Sequence, residues 1–475
     1  MIKKYFSKTN SILIVLVAVL FSCATKQQNS NLSSTSAWKN MQNSIKAIKT
    51  PVFINKVYDI TNFGAQQGGV LDNTEAFKKA IHACSENGGG IVLVPQGKYL
   101  TGPIHLESNI NLQVNEGAEI VFSTNPADYP IVHTSFEGTE LMNYSPLIYA
   151  YQKTNVAITG KGTLNGQANN EYWWSWCGKD TYGWKKGAPI QNVSRLMDMA
   201  EAGVPVSERI FGEGYNLRPS FVEFFECQNV MLKDVKIVNA PFWLIHPIKS
   251  TNVIIDGVTV TSHGPNNDGC DPEYSKNVII RNCSFNTGDD CIAIKSGRDA
   301  DGRRVGITTE NVFVQNCKMF DGHGGVSIGS EISAGVRNVF VENCVMDSPD
   351  LDRAIRIKSN TKRGGFVENL YVRNIEIGEV GESVLGIDLY YSIHGNQSGS
   401  FMPRIENIYF ENVNVKNGGK FGILAKGHKE LPINNIQFKN VIIEKVKSNY
   451  SIENVVNLKF INTKINGAII DGPKN

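Results

Sequence analysis

The sequence predicts an all-β chain: a right-handed parallel β-helix, a solenoid closed at its N-terminal end by a capping α-helix. Three observations carry that expectation. An Asn followed by a branched apolar residue and then by alternation recurs at Asn229, Asn252, Asn277, Asn311, Asn338, Asn369, Asn407, Asn435 and Asn457, as in "NVIIRNCSF" and "NVFVENCVM". Successive copies start 22 to 38 residues apart, the length of one solenoid coil with loops of varying size. Between them lie short period-two runs rich in Val, Ile and Phe, separated by Gly, Asn and Asp, with no helical period of comparable length. A β-propeller would need longer and more even units.

Taken in chain order, the first segment reads as an export signal. "MIKKYFSKTN" is cationic, and the apolar run "SILIVLVAVLF", at 11 residues, is too short to span a bilayer. The "LFSC" that closes it resembles a bacterial lipobox, which makes 1–22 the signal and Cys23 the lipid-bearing first residue of the mature chain. Residues 23–50 read as a polar tether. They lack the acidic cluster of a surface-export signal, so the expected location is a periplasm-facing anchor in a bacterial cell envelope. Residues 51–475 read as one β-helix domain. Within it, "DNTEAFKKAIHACSENGGG" is helical: Asp72 to Thr74 cap it, Ala76, Phe77, Ala80, Ile81 and Cys84 share a face, and Gly88 to Gly90 stop it. Such a helix would cover the open end of the solenoid, whose unpaired edge invites aggregation. Degenerate coils start at Asn109 and Asn155, and an insertion around 166–218 holds four tryptophans in twelve residues, "WWSWCGKDTYGW". That insertion reads equally as a satellite core beneath a long loop or as the wall of a carbohydrate site.

Composition narrows the function. The net charge is +2, from 47 Lys and Arg against 45 Asp and Glu, with no basic stripe suited to nucleic acid. Cys283, Cys317 and Cys344 each fall six residues after a repeat Asn, which suggests stacked small core residues rather than a disulfide framework. No CxxC or His-rich spacing suggests zinc.

The coil register gives the carboxylates an address. Asp268 lies in "GPNNDGCDP", Asp289 and Asp290 in "NTGDDCIAIKSG", His323 in "GHGGVSIGS", and Arg356 and Lys358 in "AIRIK". Residues separated by whole coils stack, so these side chains are expected along one wall although they span 91 residues of chain. In "AIRIK", Arg356 and Lys358 share one strand face while Ile355 and Ile357 face the core. Three carboxylates beside a His, an Arg and a Lys suit cleavage of a glycosidic bond in an anionic sugar. A protonated carboxyl donates to the leaving oxygen, ionised ones activate water, and crowding raises one proton affinity so that acid and base coexist. Arg356 and Lys358 offer fixed positive charge to a uronate. Gly288 is expected to bend the backbone so that Asp289 and Asp290 both point outwards. An isolated Asp pair is ordinarily a turn, and a His between glycines a bend residue; four motifs in register outweigh those readings. His246 reads equally as a core histidine under Trp243 or a subsite wall, and Asp271 and Glu331 as sugar contacts or loop braces.

At these residues the chain resembles the polygalacturonase family, glycoside hydrolase family twenty-eight, whose motifs are Asn-Thr-Asp, Gly-Asp-Asp, Gly-His-Gly and Arg-Ile-Lys. Here they read Asn266-Asn267-Asp268, Gly288-Asp289-Asp290, Gly322-His323-Gly324 and Arg356-Ile357-Lys358, in the same order, with Asn267 the one departure. The resemblance extends to "VYDITNFGAQQGGVLDNTEAF" and "NAPFWLIHP". It implies hydrolysis of α-1,4 bonds between galacturonates by single displacement with inversion. It further implies Asp289 as general acid, Asp268 and Asp290 activating water, and His323 tuning or reprotonating the acid. Asn266, Arg356, Lys358 and Tyr391 would hold substrate, with Tyr390 as the alternative alignment to Tyr391. The presence of His323 and Arg356 favours galacturonate over a mixed rhamnogalacturonan backbone.

Exo attack is expected, because the insertion and long loops could close one end of the cleft. Hydrolysis of xylogalacturonan or rhamnogalacturonan, an eliminase needing a Ca²⁺ cage, and a noncatalytic glycan-binding solenoid are the alternatives. The expected partner is an anionic pectic polysaccharide or oligosaccharide, the working unit a monomer, and the membrane is met only through Cys23. No cofactor is implied.

Overall fold

The computed structural model describes residues 34–392 and 398–472; the signal segment and Cys23 lie outside them. The chain divides into two compact units, Met1–Asn40 and Met41–Asn475. The described part of the stretch read as a polar tether holds a helix, Ser34–Ala47, rather than extended chain. Ala37, Trp38, Met41 and Ile45 fall at three- to four-residue spacing and give it an apolar stripe, a signal that the polar composition around it hides. Among the described residues no helix is long and apolar enough to cross a membrane.

The second unit is a parallel β-helix. Strands of successive coils pair in register, and one inward column runs Ile110, Val156, Val230, Val253, Val278, Val312, Val339, Leu370, Ile408 and Ile436. Every side chain in it is buried. β-Branched residues dominate because they pack on a pleated surface with little rotamer loss. Burying such a side chain is worth about 1.5–3 kcal/mol, so the column alone contributes on the order of tens of kcal/mol before entropy is counted.

The repeat asparagines hold the bend between coils. Asn109, Asn155, Asn229, Asn252, Asn277, Asn311, Asn338, Asn369, Asn407 and Asn435 all have φ between 56° and 64°. Each side-chain amide from Asn155 onward donates to the Oδ1 of the Asn one coil below at 2.7–3.3 Å. Asn tolerates the left-handed region and its amide both donates and accepts, so one residue type satisfies the bend and the stack together. Asn457 donates to Asn434 instead, which ends the ladder. Cys283, Cys317 and Cys344 are buried and free, as the register suggested.

The helix Thr74–Glu86 buries Ala76, Phe77, Ala80, Ile81 and Cys84, the face read from the sequence. Asp72 Oδ1 accepts from the Thr74 N–H at 2.9 Å, and Gly88 leaves the helix at φ 86°. The helix packs on the first strands, Val57–Asp59 and Gly90–Val94.

Besides the short helix Asp299–Val305, two longer excursions leave the coil among the described residues. One is an antiparallel hairpin, Ile131–Phe136 with Thr139–Tyr144, which the repeat pattern did not reveal. The other occupies the chain between the strands Thr163–Asn165 and Val222–Phe225 and contains short turns and the helix Val193–Glu201.

Candidate active site

The second sheet of the solenoid carries the chemistry. Cys270 pairs with Ile292, Ile292 with Val326, and Val326 with Ile355, so the residues just ahead of these positions line up across coils. Asp268 and Asp290 each stand two residues before a paired position, and the Gly269 N–H donates to the Asp290 carbonyl at 2.9 Å. Gly324 takes the same place in the next coil. A Cβ there would lie 2.3 Å from Ser327 Oγ and 2.9 Å from Asp290 Oδ1, so glycine makes room for the Asp290 carboxylate. The chain bends at Gly288 and Asp289, as the sequence suggested. Gly288 also permits a close approach: a Cβ would lie 2.7 Å from the Gly264 carbonyl oxygen of the coil below.

Asp290 is fully buried and fully paired. It accepts from Lys358 Nζ at 2.7 Å, Ser327 Oγ at 2.7 Å and Arg356 Nη1 at 3.3 Å. Burial alone would raise its carboxyl, but the Lys358 ammonium and the Arg356 guanidinium outweigh that and hold it well below the usual carboxylate range. Asp289 is 19% exposed and its Oδ1 accepts from His323 Nδ1 at 3.0 Å and from the Asp290 N–H at 3.0 Å. Burial again acts upward, and the bond and charge of His323 overcome it, leaving Asp289 below its ordinary value. The same hydrogen bond, followed by the charge of Asp289, lifts His323 to about 9 against the effect of burial. Asp268 behaves differently. Burial first, then the negative charge of Asp289, push it up to about 7, with Lys295 pulling it back. Near neutrality the Asp289–His323 pair holds a proton, Asp268 is only partly ionised and Asp290 is fully so.

The remaining expected residues fall as follows. Tyr391 lies at the site, with Arg356 Cζ 5.5 Å and Lys358 Nζ 5.4 Å from its ring centroid. Tyr390 is exposed and packs on His428 at 4.3 Å, so Tyr391 is the residue at this site. Asn266 lines the cleft. His246 is a core histidine: it is fully buried, its Nε2 is 2.9 Å from Glu273 Oε2, and Trp243 meets it edge-on at 4.9 Å. Asp271 is buried, with Lys295 Nζ at 3.9 Å its nearest cation, and burial and then Asp268 raise its carboxyl well above normal. Glu331 pairs with Lys295 at 3.1 Å and Arg363 at 3.6 Å.

Lys295 escaped the sequence reading. Its ammonium lies 3.5 Å from Asp268 Oδ2 and 4.6 Å from the Trp243 ring centroid. The signal was present: Lys295 ends "IAIK" with the same alternation that places Lys358 at the end of "IRIK". The cleft has a volume of about 450 Å³, and its lining includes Asn266, Asp268, Asp289, His323, Lys358 and Tyr391 together with Trp243 and Lys295. From the insertion it takes Cys177, Lys179 and Gln191, and no tryptophan. The tryptophans brace the loop instead: Trp173 is buried between Tyr129 and Trp176, Trp174 Nε1 donates to the Ala240 carbonyl at 2.9 Å, and Trp184 Nε1 donates to the Ala188 carbonyl at 3.0 Å.

Asp268, Asp289 and Asp290 offer oxygens within 4.8 Å of one another, close enough to cage a cation. Lys295, Arg356 and Lys358 already face them, so the charge a Ca²⁺ cage would supply is provided by side chains. The set is built to hold carboxylates in different protonation states beside a fixed positive field.

Comparison with known proteins agrees with this geometry. The family model for glycosyl hydrolases family 28 matches residues 212–464, just over half of the chain, and that for rhamnogalacturonase A/epimerase, pectate lyase-like, matches 57–170. A solved exopolygalacturonase from Thermotoga maritima is 44% identical, with a TM-score of 0.88 over 91% of this chain and 97% of that one. An exo-poly-alpha-D-galacturonosidase of Dickeya chrysanthemi is 28% identical over 78% of this chain, and a probable polygalacturonase of Vitis vinifera 28% over 66%. The chain spans 62% and 60% of the length of these last two relatives. On the family match, the stacked coils and the four motifs brought to one wall, this chain belongs to the glycosyl hydrolases of family 28.

Proposed function

We propose that this chain is an exo-acting galacturonan hydrolase that cleaves α-1,4 bonds between galacturonic acid residues of pectin by direct attack of water. The observation that carries the reading is the contrast between three carboxyls in one cleft: Asp289 sharing a proton with His323, Asp290 kept ionised by Lys358 and Arg356, and Asp268 titrating near 7. The proton of the pair rests on His323 and reaches the leaving oxygen through Asp289, whose Oδ1 is 3.0 Å from His323 Nδ1. Asp290 polarises the attacking water. Asp268 joins it as a second acceptor once ionised. Arg356, Lys358 and Tyr391 receive the galacturonate next to the scissile bond, and Asn266 positions the sugar on the other side. The similarity to the Thermotoga maritima exopolygalacturonase and the loops crowding the cleft support exo attack. We also infer export with a lipid on Cys23, on the layout of the first 23 residues alone; labelled palmitate retained by the wild type and lost in Cys23→Ser would bear this out.

Two measurements test the activity. Product sizing on unesterified polygalacturonate should show monomer from the first minutes; a ladder of oligomers means endo attack, and no product at all ends the proposal. The anomer formed at first turnover, followed by proton NMR, should be inverted. This is a sharp test because the carboxylate oxygens come within 4.8 Å, closer than the roughly 6.5–9.5 Å usual for inverting pairs.

A further inference from the structure

The Asn266 end of the cleft is organised by a residue that does not line it. Arg218 is fully buried, and its guanidinium donates to four oxygens: the Pro241 carbonyl at 3.1 Å, the Pro265 carbonyl at 2.6 Å, Gln191 Oε1 at 3.2 Å and Asn266 Oδ1 at 2.7 Å. A guanidinium has no acceptor, so both side-chain amides must turn their oxygens towards it. Their NH₂ groups are left for the cleft, which both residues line. Among the described residues neither NH₂ group has an acceptor. Gln191 is fixed in place by its backbone N–H, which donates to the Trp176 carbonyl at 2.8 Å, and Asn266 by a left-handed φ of 55°. Lys179, exposed and without an ion-pair partner among the described residues, lines the same cleft. Two amides oriented by one guanidinium, and an ammonium lining the same cleft, make a donor set that fits a carboxylate.

We propose that Lys179, Gln191 and Asn266, oriented by Arg218, form a second uronate subsite for the sugar across the scissile bond from Arg356 and Lys358. The inference rests on the galacturonan reading above. The order of the coils suits it: the Asn266 and Arg356 coils stand on either side of the Asp290 coil, so the catalytic carboxylates lie between the two donor sets. Because Lys179 and Gln191 belong to the insertion, the loop that closes the cleft also reads the charge of the sugar at its closed end. The tryptophans support that loop.

The test uses the full chain and three substrates: digalacturonate and its two mono-methyl esters. In the wild type both esters should lose at least about tenfold in kcat/KM, the scale of one charge-assisted hydrogen bond. In Lys179→Met the free acid should show a KM about tenfold higher with kcat little changed, and one ester, only one, should lose its penalty. The other penalty belongs to Arg356 and Lys358 and should remain. Gln191→Leu should act in the same direction. The subsite is overturned when Lys179→Met stays within twofold of wild type, or when both ester penalties persist in it. Arg218→Met should weaken the free acid as both amides lose orientation; should its melting curve show it unfolded, the two surface variants decide. If the wild type releases no galacturonate, the hydrolase reading fails, and calorimetric binding of galacturonate to wild type and Lys179→Met still decides the subsite.

Discussion

The asparagine bend and the catalytic wall are built by the same stacking, yet they solve opposite electrostatic problems. At the bend, ten identical amides lie one above another, each after the first donating to the one below at 2.7–3.3 Å. A neutral group that donates and accepts can repeat without limit. At the wall, Asp268 and Asp290 lie one coil apart, and carboxylates cannot repeat. The chain inserts Gly324, Ser327 and then Arg356 and Lys358 along the next two coils, so that the Asp290 charge is met from above. The repeat ends where the chemistry begins, because like charges in a stack must be interrupted by their partners.

That contrast can be broken in order of size. Asp289→Asn should cost about 10²–10⁴ in the rate of reducing-sugar release with the fold retained, the melting temperature falling only by what the His323 pair contributes, since the loss is of a proton path rather than of packing. Lys358→Met leaves the buried Asp290 facing only Arg356 and should destabilise by about 3–5 kcal/mol in denaturant titration; adding Asp290→Asn should recover most of it, which separates stranded charge from lost contact. On the neutral stack the effect is smaller. Asn311→Ala removes two ladder bonds and leaves φ 59° to a residue that tolerates the left-handed region less well than Asn, for about 2–3 kcal/mol, whereas Asn311→Gly should cost about 1 kcal/mol less by relieving the backbone. The gentlest probe is pH. His323 is raised in the folded state, so its contribution to stability is whole below about 6.5 and fades as pH rises through about 9. The same proton loss should give the rate profile a basic limb near 9, which His323→Gln should move to lower pH.

Legibility followed the same division. The Asn register, the inward column and the face of the capping helix were readable because each depends on a period, and periods survive in one dimension. Asp268, Asp289, Asp290, His323, Arg356 and Lys358 were readable because they sit in short motifs, one to each interval between successive repeats. Lys295, Arg218 and Gln191 were not singled out. Lys295 finds Glu331 thirty-six residues away and Arg218 finds Asn266 forty-eight away, through loops whose lengths obey no repeat. The tryptophans left two readings open for a related reason: composition reports how much apolar surface a loop carries but not which side of it faces substrate. The helix Ser34–Ala47 was passed over because a four-residue stripe was hidden in polar sequence.

By itself, the order of residues determined that the chain winds into stacked coils and which acids share a coil position, because backbone pairing propagates register from one turn to the next. Only the tertiary structure decided which carboxyl keeps a proton, which is pinned as an anion and which wall the insertion presents, because proton affinity depends on burial and on charges brought close from distant segments.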